Sequence, residues 1–196
     1  MSSARTPRPQ DELELKARIT DVAGLRRALR AAGARLEFRG RMTDLRFDRA
    51  RELIRRDHVL RLRVYRPAGR QAAAALLGWK GPASARRGYR HRRELECGVA
   101  NPDAIRFLLG RLRYRVTLAI DRRVEVYRLG GAVLRLERYP RMDTLLEVEG
   151  RPAAIERAVK AIGLPRERFR SDSLPYFTRA YRRRTGRPAR LSWARP

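Results

Sequence analysis

Glu12-Leu13-Glu14-Leu15-Lys16 alternates charge and hydrocarbon residue by residue. Side chains two apart on a strand share a face, so Glu12, Glu14, Lys16 and Arg18 fall on one side of residues 11–19 and Leu13, Leu15, Ala17 and Ile19 on the other. The stretch reads as a strand whose apolar face is packed and whose charged face looks elsewhere.

The same construction returns twice, in Glu94-Leu95-Glu96 and Glu147-Val148-Glu149, so six of the twelve glutamates sit in three such pairs. One pair alone reads equally as the wet face of an amphipathic strand. Three pairs in an acid-poor chain point to a shared site, yet converging carboxylates repel one another unless cations lie between them. Those cations are present in the same pattern. Arg61 and Arg63 alternate with Leu60 and Leu62, Arg92 precedes Glu94 on its face, and Arg135 and Glu137 alternate with Leu134 and Leu136. A polar interior lined by both signs suits a triphosphate, with guanidinium forks on the oxygens and carboxylates holding metal ions.

Around these stretches the chain reads as a meander. Further strands are expected near residues 36–48, 58–65, 76–80, 89–99, 116–129, 132–139 and 144–149, with helices at 22–32, 101–110 and 152–162. Asp21 and Asn101 are helix N-caps, Pro152 a first helical residue, and Gly33 and Gly163 helix stops. About eight strands in sequence are expected to close into a barrel, giving a mainly β, α+β chain with helices outside. Residues 1–10 read as a disordered lead, 11–183 as one domain and 184–196 as a basic tail.

Composition narrows the chemistry. The 196 residues carry 48 Lys+Arg against 21 Asp+Glu, a net charge of +27, so the partner is an anion. From Ser173 onward there are seven arginines and no acid, so a nucleic-acid-binding tail competes with a solvated end. Cys97 is the only cysteine and His58 and His91 the only histidines, which excludes a disulfide framework and a cysteine- or histidine-rich metal site. A divalent metal must then be held by carboxylates, which suits Mg2+ or Mn2+. No apolar run of about 18 residues exists, so no membrane span is expected. The opening MSSARTPRPQ lacks a secretory core, and a cytoplasmic protein, monomer or homodimer, is the expectation.

In their order these motifs resemble the CYTH family, named for class IV adenylyl cyclases and thiamine triphosphatases. Glu12-Leu13-Glu14-Leu15-Lys16 is similar to its E-x-E-x-K signature, Leu60-Arg61-Leu62-Arg63 to its L-R-x-R strand, and Trp79-Lys80-Gly81-Pro82 to its K-G-P strand. Arg92-Arg93-Glu94-Leu95-Glu96 resembles R-x-E-x-E, Asp121-Arg122-Arg123 the K-x-R region, and Leu146-Glu147-Val148-Glu149 the late E-x-E. The resemblance implies a closed eight-stranded antiparallel barrel, the triphosphate tunnel, and a divalent metal requirement.

Carried over, it implies Glu12, Glu14, Glu147 and Glu149 as metal ligands, with Glu94 and Glu96 supporting them or holding a second metal. Arg61, Arg63, Lys80 and Arg123 would clamp phosphate oxygens, joined by Arg92 and Arg135 on the same strand faces. Arg123 is taken over Arg122 because Arg122 shares its face with Val124 and Val126. Lys16 would contact the terminal phosphate or help activate water, and Glu14 and Glu94 would join it in catalysis. Glu137 stands where the family carries an aspartate ligand and would take its place, and Asp143-Thr144 replaces its L-G, so Asp143 would be a substitute ligand ranked after Glu137. Hydrolysis of an inorganic, nucleoside or thiamine triphosphate is the first expectation. Conversion of ATP to cyclic AMP and pyrophosphate is the alternative, and a non-enzymatic polyphosphate or RNA binder the third.

Overall fold

The computed structural model describes residues 9–69 and 72–193, so the expected lead lies outside the described residues except for its last two. The described elements are β1 (Gln10–Ile19), α1 (Val22–Ala31), β2 (Arg35–Asp48), α2 (Glu52–Arg55), β3 (Val59–Pro67), β4 (Ala74–Lys80), β5 (Ser84–Arg86), β6 (Tyr89–Gly98), α3 (Pro102–Arg111), β7 (Arg115–Leu129), β8 (Ala132–Arg138), β9 (Thr144–Glu149), α4 (Pro152–Ala161) and α5 (Leu174–Thr185).

The strands close a ring in the order β1-β9-β8-β7-β2-β3-β4-β6 and back to β1, every neighbouring pair antiparallel. Closure removes free sheet edges. Short β5 follows β4 along the same edge of β6, pairing Ser84 with His91.

The apolar faces point outward, where helices cover them. Leu25 and Leu29 of α1 and Ile155, Ala158 and Val159 of α4 pack with Leu15, Ala17, Leu134, Leu136, Leu146 and Val148 of the barrel wall. On another side α3 sets Leu109 with Phe47 and Leu62. Each leucine, isoleucine, valine or phenylalanine among them contributes about 1.5–3 kcal/mol on burial. Because a one-residue slip would turn these residues inward, the outer contacts fix the register that aims the charged residues into the barrel.

Local chemistry sets the element ends. Asp21 Oδ1 accepts from Gly24 N at 2.7 Å and Asn101 Oδ1 from Ala104 N at 2.9 Å, capping α1 and α3. Gly40 lets β2 press on β3, since a Cβ there would lie 2.1 Å from Arg66 O. Three elements escaped the sequence reading: three-residue β5, inside a turn-rich stretch, single-turn α2, and α5, in the arginine-rich stretch after Ser173. Asp48 builds α2 by accepting from the amides of Arg49, Leu53 and Ile54.

The tail also differs from a solvated end as far as Trp193. Arg190 bridges to Arg141, Leu191 O accepts from Asp121 N at 2.7 Å, and Ser192 Oγ donates to Asp121 Oδ2 at 2.6 Å. Asp121 supplies the partner, a role that arginine counting along the tail does not reveal.

Candidate active site

The barrel interior holds a cavity of about 820 Å3, within the range of small-molecule sites. Its lining carries ten lysine or arginine side chains against seven aspartates and glutamates. An anion is the ligand this balance favours.

Both walls carry both signs, with carboxylates laced by lysine on one and arginines gathered around a carboxylate on the other. β1 and β2 stand four places apart in a ring of eight. On the β1 and β9 side lie Glu12, Glu14 and Glu147, laced by lysine. Lys16 Nζ sits 2.6 Å from Glu14 Oε1 and 2.8 Å from Glu147 Oε2. Lys80 Nζ reaches Glu12 Oε2 at 2.5 Å and Glu94 Oε2 at 3.0 Å. Arg90 Nε adds a contact to Glu14 Oε1 at 3.2 Å.

Across the cavity, β7, β2 and β3 carry Arg122, Arg46, Arg61 and Arg63 around one buried carboxylate. Arg63 donates to Asp44 through Nε at 2.7 Å and Nη2 at 2.9 Å, and Arg122 Nη2 donates to Asp44 Oδ2 at 2.9 Å. Arg61 Nη2 donates to Glu94 at 2.9 Å and Glu96 at 2.7 Å. Arg46 lines the cavity, and its Nε has no hydrogen-bond partner among the described residues. The same is true of Arg61 Nε, Arg122 Nη1 and Arg135 Nε.

Burial drives the ionisation of these groups, and their neighbours decide its direction. For Asp44, burial alone would raise the pKa, but Arg122, Arg63 and Arg61 hold it well below the ordinary aspartate range. Burial, then the fields of Glu147 and Glu12, leave Glu14 raised despite Lys16. Burial pushes Glu94 up to about 8, with Glu12 adding repulsion against Lys80 and Arg61. Burial would lower Lys16, yet Glu14 and Glu147 raise it above its usual value. Lys16 is therefore a fixed cation in this arrangement, not a group ready to accept a proton. Burial, with Arg61 and Arg122 nearby, brings Arg46 down to about 10 against the opposing field of Asp44.

Of the residues singled out in the sequence, Glu12, Glu14, Lys16, Arg61, Arg63, Lys80, Arg92, Arg135, Glu137 and Glu147 line one cavity. Glu94, Glu96 and Glu149 share the inward strand faces at its margin, held by Lys80 and Arg61, by Arg61, and by Arg135. Arg135 Nη1 also donates to Glu147 at 2.7 Å. Arg92 is engaged with the loop backbone, donating to Gly81 O at 2.7 Å and to Asp57. The Glu137 carboxylate is taken up by Arg122 Nε at 2.7 Å and Tyr139 OH at 2.5 Å. Asp143 pairs with Arg18 and Arg184.

Arg123 is a correction. It is exposed outside the barrel, and Arg122 is the buried arginine that faces the cavity. The parity argument failed because the inward face of β7 is not wholly polar: Ile120, Arg122 and Val124 share it. Asp44, Arg46 and Arg90 were missed as site residues. Asp44-Leu45-Arg46-Phe47-Asp48 carries the same charge alternation as β1 and is the signal that marks the first two, while Arg90 shares the parity of Arg92 and Glu94.

Among the described residues no three acidic, histidine or cysteine side chains converge as a metal site. The donor chemistry nevertheless fits Mg2+ or Mn2+: Glu12, Glu14 and Glu147 are hard oxygen donors, burial and then their mutual repulsion raise Glu14, and lysine ammoniums contact all three.

This architecture is that of the CYTH fold. An adenylate cyclase candidate from Vibrio parahaemolyticus superposes with a TM-score of 0.72 at 18% identity, covering 86% of this chain and 97% of its own. The PH1012 protein of Pyrococcus horikoshii gives 0.67 at 20% identity, covering 85% and 98%. HpAC1 from Hippeastrum, an adenylyl cyclase candidate described as having a dominant triphosphatase activity, gives 0.59 at 17% identity, covering 92% and 98%. No family model matches the sequence, and no curated protein matches it.

Proposed function

We propose that this chain is a triphosphatase, binding a triphosphate lengthwise in the barrel and cleaving its terminal phosphoanhydride with water. One observation carries the reading: a cavity with a lysine-laced carboxylate wall facing an arginine-rich wall, where buried N–H groups of Arg46, Arg61, Arg122 and Arg135 lack an acceptor. Buried donors without partners are costly, and phosphate oxygens supply the acceptors they lack. The triphosphatase activity described for HpAC1, on the same fold, supports the same choice.

In this reading Arg46, Arg61, Arg63 and Arg122 hold the phosphate oxygens from one wall, and their fixed positions favour the charge that builds up as the bond breaks. Lys16 holds the terminal phosphate from the other wall. Glu12, Glu14 and Glu147, with Glu149 beside them, hold Mg2+ or Mn2+. The bound ion supplies charge neutralisation and orientation.

A second reading, cyclisation of ATP, draws on the cavity mouth. Ile54, Leu118, Leu174 and Pro175 line the same cavity as the charged floor and offer an apolar ledge to an organic group. Product analysis separates the two. Purified protein is incubated with inorganic triphosphate, ATP or thiamine triphosphate, with Mg2+ or Mn2+ and with EDTA. Orthophosphate that EDTA abolishes supports hydrolysis, cyclic AMP with pyrophosphate supports the cyclase, and no turnover overturns both.

A further inference from the structure

Arg66, Arg41, Arg123 and Arg138 are Cα partners in unbroken succession across β3, β2, β7 and β8. All four are exposed, and their strand parity opposes that of the cavity residues Arg63, Asp44, Arg122 and Glu137, so the row lies on the outer surface of the barrel. Adjacent strands are about 4.8 Å apart. The row therefore spans three successive like-charge cross-strand pairs, an arrangement that is destabilising on its own.

Local acids offset little of this. Asp121 Oδ1 lies 3.2 Å from Arg41 Nη2, but that carboxylate also takes Thr43, Ser192 and the Trp193 amide. Glu125, two residues from Arg123, is held by Arg26, Tyr127 and Arg39. Arg123 and Arg138 have no carboxylate within ion-pair distance among the described residues. Beside the row, the returning tail sets the Trp193 ring 5.0 Å from the Arg41 guanidinium carbon, and 39% of Trp193 remains exposed.

We infer that this outer arginine row, with Trp193 at its side, is a binding surface for a single-stranded nucleic acid, separate from the cavity. A line of guanidiniums follows a phosphodiester backbone, and an exposed indole gives a base a face to stack on. The aromatic neighbour is what favours a nucleic acid over a polyanion without bases. An arginine-rich chain attracts polyanions everywhere, so the surface has to be separated from net charge.

The test is fluorescence anisotropy with a labelled single-stranded RNA over a range of salt. Changing Arg41, Arg66, Arg123 and Arg138 together to Gln is expected to weaken binding at least about tenfold. It should also flatten the slope of log K against log salt by about 2.8, from 0.7 per phosphate contact. Changing exposed Arg27, Arg30, Arg106 and Arg111 to Gln removes the same net charge from α1 and α3 and is expected to cost far less. Trp193→Ala is expected to weaken RNA and spare inorganic polyphosphate, and saturating inorganic triphosphate is expected to leave RNA bound. Equal losses in the two quadruple variants, equal effects of Trp193→Ala on RNA and polyphosphate, or displacement of RNA by triphosphate would each overturn the inference. Circular dichroism of each variant confirms that the barrel is folded.

Discussion

Asp44 and Arg63 form a buried two-pronged pair across β2 and β3, with Oδ1 to Nε at 2.7 Å and Oδ2 to Nη2 at 2.9 Å. Arg122 shares the same carboxylate at 2.9 Å, so one acid ties Arg63 of β3 to Arg122 of β7. Asp44→Ala leaves buried guanidiniums without their counter-charge. The expected loss is about 3–5 kcal/mol, read from the urea unfolding midpoint, and the loss should shrink when inorganic triphosphate is present.

The same residue gives the protein an acid limit. Because its folded pKa lies well below the usual value, ionised Asp44 contributes stability fully at pH above about 4 and loses it as pH falls through the folded value. Asp44→Asn is expected to be less stable at neutral pH and to lose less on acidification. Melting temperatures at stepped pH check this. Equal steepness in the two proteins would refute it.

Arg122 and Arg123 are neighbours with opposite fates. Arg122→Ala is expected to raise the KM for triphosphate at least about tenfold, losing one charge-assisted contact, whereas Arg123→Ala should leave kcat and KM unchanged. Steady-state kinetics on both variants decides the inward face of β7.

Arg46 separates binding from stability. The residue is half-buried, with its Nε shut off from solvent and without a partner among the described residues, so Arg46→Met removes a charge that costs the ligand-free protein. The melting temperature without ligand is expected to hold or rise, by the equivalent of about 1 kcal/mol or more. The further rise produced by inorganic triphosphate should fall. Thermal denaturation with and without triphosphate reads both.

Much of this was legible in the sequence because outer packing and inner charge obey the same two-residue period. Glu12, Glu14 and Lys16 could be placed from Leu13 and Leu15, and Glu147 from Leu146 and Val148. Arg122 was misplaced because period alone says which residues share a face, not which face is inside. In β7 the inner face mixes Ile120 and Val124 with Arg122, while the outer face carries Asp121, Arg123 and Glu125. Asp44 and Arg46 escaped because residues 36–48 hold no E-x-E pair and their R-x-R, Arg39-Gly40-Arg41, has the opposite parity, while the partners of Asp44, Arg63, Arg122 and Arg61, lie far along the chain. The pairing of Lys16 with Glu147 is likewise a long-range fact. With Glu14 two residues away, it raises Lys16 above its usual value and keeps it a cation.

The most direct test of the central claim is orthophosphate release from inorganic triphosphate by purified protein, with Mg2+ or Mn2+ and with excess EDTA. Metal-dependent release that falls at least about 100-fold in Lys16→Met, with the fold intact by circular dichroism, is the expected result. No release with either metal, or release that Lys16→Met leaves unchanged, would contradict the account.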